Sequence, residues 1–301
     1  MNTLWLITLR NIKIYLKDKA NIFFSLLSPV IILVLYLLFI GKLQTDGLTQ
    51  ALAEMGVMGA EAEVKGFCDS WMITGVMACA CITVALCASG VAVTDRSRGI
   101  LADVMASPLP GWKFTAGYIL AVALIASAVS LVVLAICFVY LAALGSWYLS
   151  VSDVFGCVGV TLLSVLSSTA VVSLIVSFVR TEGAFSGVNI IIGTVVGFLI
   201  GAYMPISTFP KAVQTVTLFI PGSYSAGLFR QFFMGGALER LSGAVPAAFV
   251  EELAKQYSMT YDFFGMEITG AGMAWILAGS VLLFAGANLA VMAVKKRKKY
   301  E

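Results

Sequence analysis

The sequence contains no histidine among its 301 residues. Ser-His-Asp and Cys-His catalytic groups and H-E-x-x-H metal sites all need an imidazole, so each of them is excluded. The sequence also lacks the G-x-x-x-x-G-K-[ST] motif whose backbone cradles nucleoside phosphates. We therefore predict that the chain has no catalytic residues, does not hydrolyse ATP and holds no cofactor of its own.

Charged residues are also scarce. They make up 12% of the chain, whereas hydrophobic residues make up 60% and the mean hydropathy is +0.98, far outside the range of soluble globular proteins. The long apolar runs contain no carboxylate pair, which excludes intramembrane aspartyl proteolysis. Their lack of ionisable residues also argues against ion-coupled transport, although backbone carbonyls and hydroxyl groups can bind sodium. The composition predicts a polytopic membrane protein.

Six apolar runs are long enough to cross a membrane, because a spanning helix needs about 20 apolar residues. They cover residues 22–41, 70–93, 115–144, 153–179, 187–205 and 270–294. Apart from Asp153 at one boundary, none of them contains a formal charge. We predict an all-α polytopic membrane protein with six transmembrane helices, in which residues 1–301 form one domain.

Basic residues cluster at the N-terminus, in residues 94–114 and at the C-terminus, where residues 295–299 read KKRKK. Most acidic residues lie in residues 43–69 and 206–269. The bias of lysine and arginine sets the orientation of a membrane protein, so we predict that both termini are on the cytoplasmic side of the plasma (inner) membrane. The C-terminal basic run suits anionic membrane lipids, and no nucleic-acid partner is expected.

Five of the six cysteines lie within the apolar runs, and Cys68 alone lies near the predicted outer surface. We expect the five to behave as small hydrophobic residues and Cys68 to react with thiol reagents from outside. A Cys-Ala-Cys metal site is the alternative, but no histidine is present to complete it. We predict no metal site.

The N-terminal residues 1–20 combine an apolar stripe and a basic stripe at helical spacing. The stripes consist of Trp5, Leu9, Ile12 and Leu16 and of Arg10, Lys13 and Lys17. A helix that lies in the membrane interface, with its lysines reaching the headgroups, fits this pattern. A cleaved signal peptide fits poorly, because the charges come late and the next apolar run is too long.

A polar island at residues 94–113 separates the second apolar run from the third. It reads TDRSRGILADVMASPLPGWK. After Gly99, apolar residues recur at helical spacing through Met105, and Pro108 ends the pattern because proline removes a backbone donor. The pattern predicts a short helix that docks on a partner. An ordinary loop whose arginines follow the positive-inside rule is the alternative.

Small and polar residues recur at every fourth position of the fifth run, at Asn189, Gly193, Gly197 and Gly201. Small residues at this spacing let two helices approach closely in a membrane. We predict a packing seam at these residues. The alternative is that glycine is simply frequent in membrane helices.

Three prolines, Pro205, Pro210 and Pro221, divide the stretch after the fifth run into pieces too short to cross a membrane. Irregular backbone at membrane depth must be packed in protein or line a wet cavity. We therefore expect the short pieces of residues 206–234 to be packed in protein and to close the outer end, and we call these residues the gate segment.

Two polar side chains of the gate segment have expected roles. Tyr224, with its apolar ring and polar tip, suits the interfacial edge of the gate, and Arg230 can reach outward to headgroups. Residues 237–269 are longer and acidic. We predict that they form an external segment.

Two parts of the sequence resemble the permeases of type-2 ATP-binding-cassette exporters, the ABC-2 type membrane domain. The polar island matches the family pattern of an acidic residue, arginines, glycine, a leucine-rich turn and Ser-Pro-Leu at residues 95–101 and 107–109. The stretch after the fifth run matches a Gly-x-x-x-Pro end, later prolines, an aromatic residue and an arginine, and the resemblance implies that it forms two short re-entrant helices. Ser97 stands where a second acidic residue is usual, and Tyr118 stands where a lysine is common.

The resemblance implies that the island forms a cytoplasmic coupling helix, which receives the motion of a separate ATPase subunit. The residues that would couple to the ATPase are Asp95, Arg96, Arg98, Gly99, Leu101, Met105, Ser107 and Pro108. It also implies a second permease subunit, in a homodimer or heterodimer whose second and fifth spans line the path. ATP and magnesium would bind to the partner ATPase.

Uncharged spans suit a hydrophobic or amphiphilic cargo such as a drug, an antibiotic, a lipid or a modified peptide. We therefore predict the membrane subunit of an ATP-driven exporter, of the multidrug-efflux kind. Polysaccharide export is the alternative within the family. An ion-coupled secondary transporter would need internal repeats and a place for the ion, and a membrane scaffold or enzyme is the third possibility.

Overall fold

The computed structural model describes residues 3–100, 111–243, 245–263 and 265–297. In chain order its helices are α1 (Thr3–Lys17), α2 (Lys19–Ser25), α3 (Leu27–Leu35), α4 (Gly41–Glu54), α5 (Glu61–Ser97), α6 (Gly111–Ala143), α7 (Val151–Phe178), α8 (Glu182–Leu199), α9 (Lys211–Thr217), α10 (Pro221–Ser242), α11 (Ala247–Gln256) and α12 (Gly270–Arg297). Within these ranges, six helices are long and apolar enough to cross a membrane. The prediction of an all-α protein with six spans is confirmed.

A capping residue and a proline mark the starts of the two helices α2 and α3. Asp18 accepts a hydrogen bond from the Asn21 N–H at the start of α2, which satisfies one of the free donors of that helix end. α2 ends at Ser25 and α3 begins at Leu27, so that Pro29 lies in the first turn of α3. Proline is tolerated there because the first N–H groups of a helix have no hydrogen-bond partner within the helix.

The first span is longer than predicted. A π-helical turn (Tyr36–Ile40) joins α3 to α4, so that the candidate span covers Leu27–Glu54 instead of residues 22–41. Residues 43–69, which lie between the first two apolar runs, are mainly a helical hairpin of α4 and the start of α5. Polar residues end the apolar pattern in α4, but they do not end its backbone hydrogen bonding.

The helix at the centre of the bundle is α5. It has 37 residues, which corresponds to a length of about 55 Å. Of its most apolar 18 residues, 89% are buried inside the protein. It packs against α3, α6, α7, α8 and α10, which explains why it is apolar on all sides. Cys68 on this helix is 0% exposed, so the expectation that it reacts with thiol reagents is wrong.

The chain after the fifth span folds back toward the middle of the bundle. α8 ends at Leu199, not at residue 205, and α9 follows a short 3-10 turn (Ile206–Thr208). Gly222 at the start of α10 lies against Ile82, near the midpoint of α5, and Gly236 lies against the Tyr148 carbonyl in the α6–α7 connection. Re-entry itself depends on where the membrane lies, so the re-entrant pair stays a prediction.

The helix α10 and the segment after it differ from the prediction. α10 covers Pro221–Ser242, well beyond the expected short piece, and it is buried against α5, α7 and α12. Residues 237–269 contain the end of α10, then α11, then an antiparallel hairpin of β1 (Tyr261–Phe263) and β2 (Met266–Ile268). Tyr261 pairs with Ile268 in this hairpin.

Candidate functional site

Two polar clusters lie at opposite ends of α8. The first, which we call the basic-end network, joins the ends of α5 and α7 to the starts of α6 and α8 and to α1. Its members are Arg10, Asp95, Arg96, Ser97, Arg98, Tyr118 and Glu182. The second, the α8–α10 joint, consists of Leu199, Ile200, Gly201, Ser223, Arg230, Ser258 and Tyr261.

Asp95 is the centre of the basic-end network. Two Arg10 nitrogens donate to its two carboxylate oxygens, over 2.5 Å and 3.0 Å, and the Tyr118 hydroxyl donates to the same carboxylate. Two-pronged pairing of this kind fixes geometry as well as charge. The hydrogen bond to Asp95 raises the pKa of Arg10. Tyr118 therefore supplies a donor that ties α6 to α5 and α1.

The next residue, Arg96, binds the end of α7. Its guanidinium donates to the Val176 carbonyl over 3.0 Å and to the Val179 carbonyl. The last carbonyls of a helix have no partner within that helix, and a cation is favourable at its negative end. Arg96 thus fastens the end of the fourth span to the end of the second.

The following two residues reach the start of α8. The Ser97 hydroxyl donates to Glu182 over 3.1 Å, and the Arg98 guanidinium lies 3.7 Å from the same carboxylate. Glu182 is the first residue of α8, and Thr181 caps that helix through the Ala184 N–H. An acidic side chain at this end complements the helix dipole. Residues 95–98 therefore contact four different helices.

The polar island beyond Arg98 begins with a turn. Gly99 has a φ of +76°, a conformation that glycine adopts without the penalty other residues meet, and it ends α5. Among the other coupling residues named from the resemblance, Leu101, Met105, Ser107 and Pro108 lie outside the described residues. The predicted coupling helix therefore stays a prediction.

Only the first three residues of the predicted glycine seam lie on α8. Asn189 contacts the Cys87 sulfur of α5, and the Gly193 carbonyl accepts a hydrogen bond from Ser28 of α3. Gly201 lies beyond the end of α8, with a φ of +68°. The expectation of one continuous seam through Gly201 is wrong, because the chain turns back there.

The turn at Gly201 is a Schellman motif. The Ala202 N–H donates to the Gly197 carbonyl over 2.8 Å, and the Gly201 N–H donates to the Phe198 carbonyl over 3.1 Å. This pattern with a left-handed residue is a common way to end a helix. It leaves the carbonyls of Leu199, Ile200 and Gly201 without partners in the turn.

The α8–α10 joint supplies those partners. Arg230 is 0% exposed, and one of its nitrogens donates to the Ile200 and Gly201 carbonyls, both over 2.9 Å. The Ser223 hydroxyl donates to the Leu199 carbonyl over 3.1 Å. The expectation that Arg230 reaches outward to headgroups is wrong, since the free carbonyls of α8 hold it inside the protein.

The second nitrogen of Arg230 ties in the hairpin. It donates to the Tyr261 hydroxyl over 3.1 Å and to the Ser258 carbonyl over 3.4 Å. Tyr261 in turn donates to the Ser223 carbonyl over 2.9 Å, and burial raises the pKa of Tyr261. The contacts therefore close a ring through α8, α10 and the hairpin. The sequence has no pattern that links Arg230 with Tyr261.

The remaining gate residues have structural roles. Tyr224 is buried and donates to the Leu218 carbonyl over 2.7 Å, so it does not lie at an interfacial edge. Pro205 and Pro210 directly precede the 3-10 turn and α9, and Pro221 is the first residue of α10. Proline suits helix starts because its missing N–H would be free there anyway.

A buried carboxylate was not anticipated. Asp69 of α5 accepts hydrogen bonds from Tyr36 over 3.2 Å and from Ser146 over 2.7 Å. It directly precedes the second apolar run, which is the signal that the sequence offered. Within the described ranges, no group of three His, Cys, Asp or Glu residues could hold a metal ion.

A comparison with protein families gives one match. The family described as ABC-2 type transporter matches residues 2–234, a range that includes the basic-end network and the joint as far as Arg230. A comparison with curated proteins finds no match. Since the family covers most of the chain, this protein belongs to the ABC-2 type transporter family, as a membrane permease.

Proposed function

We propose that this permease is the membrane-spanning subunit of an ATP-driven exporter, powered by a separate ATPase subunit. The observation that supports this most is the reach of residues 95–98, which contact α1, α6, α7 and α8 directly before residues 101–110. A push on residues 101–110 would therefore be delivered to four helices at once. ATP and magnesium bind to the partner ATPase in this proposal, and the permease itself is not catalytic.

The orientation follows from the basic residues. The basic-end network faces the cytoplasm, both termini lie on that side, and the membrane is the plasma (inner) membrane. We expect Ser242→Cys, at an exposed site, to react with an impermeant thiol reagent in intact cells. Ser97→Cys, also exposed, reacts only after the membrane is permeabilised. Labelling of Ser97→Cys in intact cells would reverse the orientation.

A second permease subunit completes the transport path. α5 is enclosed by its own chain, whereas only 11% of the 18 residues of α8 are buried. α8 exposes Ile190 and Ile191, and the neighbouring α3 exposes Val30 and Ile31. We propose that this open face of α3 and α8 meets the second subunit. In this proposal α3 lines the transport path in place of the second span, α5, because α5 is enclosed.

The exposed apolar face also bears on the cargo. Its uncharged residues favour a hydrophobic or amphiphilic molecule, such as a drug, an antibiotic, a lipid or a modified peptide. A polysaccharide is the competing cargo, and it would need polar groups along the path. Export of a labelled amphiphile from vesicles that contain the complex separates the two.

The test of the coupling role uses Leu101→Asp. We expect this variant to insert and fold but to lose ATPase-driven transport, because it places a charge against an apolar surface of the ATPase. Leu101→Met is the control, and it keeps transport near the wild-type rate. Copurification of a subunit that carries a nucleotide-binding motif is measured in parallel. Full transport by Leu101→Asp would show that residues 99–105 are a plain loop.

A further inference from the structure

The helix α8 makes polar contacts at both of its ends. Its first residue, Glu182, accepts from Ser97 and faces Arg98, and its last carbonyls accept from Ser223 and Arg230. Between these contacts, 11% of its 18 residues are buried, and Phe185, Val188 and Ile192 pack against α5 and α7. The helix is therefore tied to the bundle by polar contacts at its ends and by one narrow apolar face between them.

The length of α8 makes it a direct link between the two clusters. Its 18 residues span about 27 Å, which is short compared with the curvature radius of helices in proteins. A displacement of Glu182 along the helix axis therefore arrives at Ile200 and Gly201. At that end the only described cation in contact with these carbonyls is Arg230, a residue of the gate segment.

The hydrogen bonds of Arg230 are costly to break. Its guanidinium is fully buried, and in the described part of the chain it makes hydrogen bonds to carbonyls and a hydroxyl without an ion pair. Hydrogen bonds to a charged group are stronger than neutral ones, and loss of the cation would leave buried carbonyls unsatisfied.

We propose that α8 is a connecting rod from the basic-end network to the gate segment, and that Arg230 is the positioning residue that fastens the rod to the gate. This inference rests on the proposed function only for the source of the motion. The fastening itself is a property of the permease chain. It can therefore be tested without the ATPase and without the cargo.

The test uses Thr217→Cys as a reporter in the full chain, purified and placed in lipid nanodiscs. Thr217 is 0% exposed on α9, next to a cavity of about 600 Å³ between α9 and the hairpin, so loosening of the gate exposes it. A water-soluble maleimide labels exposed thiols. The six native cysteines are at most 4% exposed, so the labelling rate reports position 217.

The first arm removes the fastening. We expect Arg230→Met to raise the labelling rate about tenfold, a change that fits the loss of several hydrogen bonds to a charged group. Arg230→Lys keeps the cation but not the fork, and it restores part of the slow rate. If Arg230→Met does not fold, Tyr261→Phe removes one contact of the ring and should give a rise of about threefold.

The control for Tyr261→Phe is Tyr257→Phe. Tyr257 packs edge-on against Phe67 and Trp71 in the same region, and it lies outside the ring, so we expect the wild-type labelling rate. Wild-type labelling in folded Arg230→Met and in Tyr261→Phe would overturn the fastening. A uniform rise in all variants, Tyr257→Phe included, would overturn it as well.

The second arm tests the rod with a double-mutant cycle. Glu182→Gln removes the ion pair at the far end of α8, and we expect it to change the labelling rate about twofold when Arg230 is present. In the background of Arg230→Met or Tyr261→Phe that effect should disappear, because the rod no longer holds the gate. The same effect in both backgrounds, or none in either, would overturn the rod. Both arms can succeed while transport of a given cargo fails, so the two proposals are tested separately.

Discussion

The basic-end network and the α8–α10 joint both hold the ends of helices, but they do so with different chemistry. The network includes an exposed ion pair, Arg98–Glu182, at 67% and 51% side-chain exposure, beside the Arg10–Asp95 pair, whose carboxylate is 5% exposed. The joint uses one buried cation on backbone carbonyls. An exposed ion pair contributes about 0.2–1 kcal/mol, so the Arg98–Glu182 contact can break and re-form at low cost. The hydrogen bonds of the joint cannot break at such a low cost, so the joint suits a permanent connection.

The largest effect expected from this comparison is on stability. Arg230→Met should lower the free energy of unfolding by about 3 kcal/mol or more, because it leaves buried carbonyls unsatisfied. The change Arg98→Met, which removes the exposed ion pair with Glu182, should lower it by about 1 kcal/mol at most. Unfolding of both variants in detergent, followed by circular dichroism, measures the difference. Equal losses would remove the distinction between the two clusters.

A smaller effect is expected at the centre of the network. Asp95→Asn keeps the size of the side chain but removes the charge that Arg10 and Tyr118 share, and it should lower the free energy of unfolding by about 1–2 kcal/mol. Tyr118→Phe should cost less, about 1 kcal/mol, since Arg10 still pairs with the carboxylate. Chemical denaturation with both variants checks the order. A larger loss for Tyr118→Phe would make the tyrosine, not the ion pair, the main contact.

The smallest effects distinguish two glycines with the same backbone conformation. Gly201 and Gly99 both have positive φ, so an alanine at either position costs about 1 kcal/mol. A Cβ at Gly201 would also come within 2.7 Å of Ile206 and 3.0 Å of Arg230, whereas one at Gly99 meets nothing within 4 Å. Gly201→Ala should therefore destabilise the protein more than Gly99→Ala, as measured by thermal unfolding. Equal losses of stability would show that Ile206 and Arg230 move aside easily.

The residues of the network could be found from the sequence because they are neighbours in it. Asp95, Arg96 and Arg98 stand together in a polar island between apolar runs, and charge there is rare enough to be noticed. Their partners were partly visible too, since Arg10 stood out in the basic stripe of α1. Which charge pairs with which could not be read, because Arg10 and Asp95 are far apart along the chain.

The joint could be predicted only in part. The prolines at 205, 210 and 221 marked the breaks correctly, and the short helix α9 follows from them. Periodicity carried the glycine pattern through Gly201, although the helix ends at Leu199. Spacing cannot show that a helix stops, because the stop depends on partners for the last carbonyls, and those come from Arg230 and Ser223 on another helix.

The sequence by itself determined that this protein crosses a membrane six times as helices, since about 20 apolar residues without charge have no other stable course in lipid. It also determined which end is basic. Only the tertiary structure decided that α5 is the enclosed centre, that Asp69 and Arg230 are buried, and that the hairpin closes a ring on α8. Those features depend on which buried polar group meets which partner across the bundle, and no local pattern in the chain records such pairings.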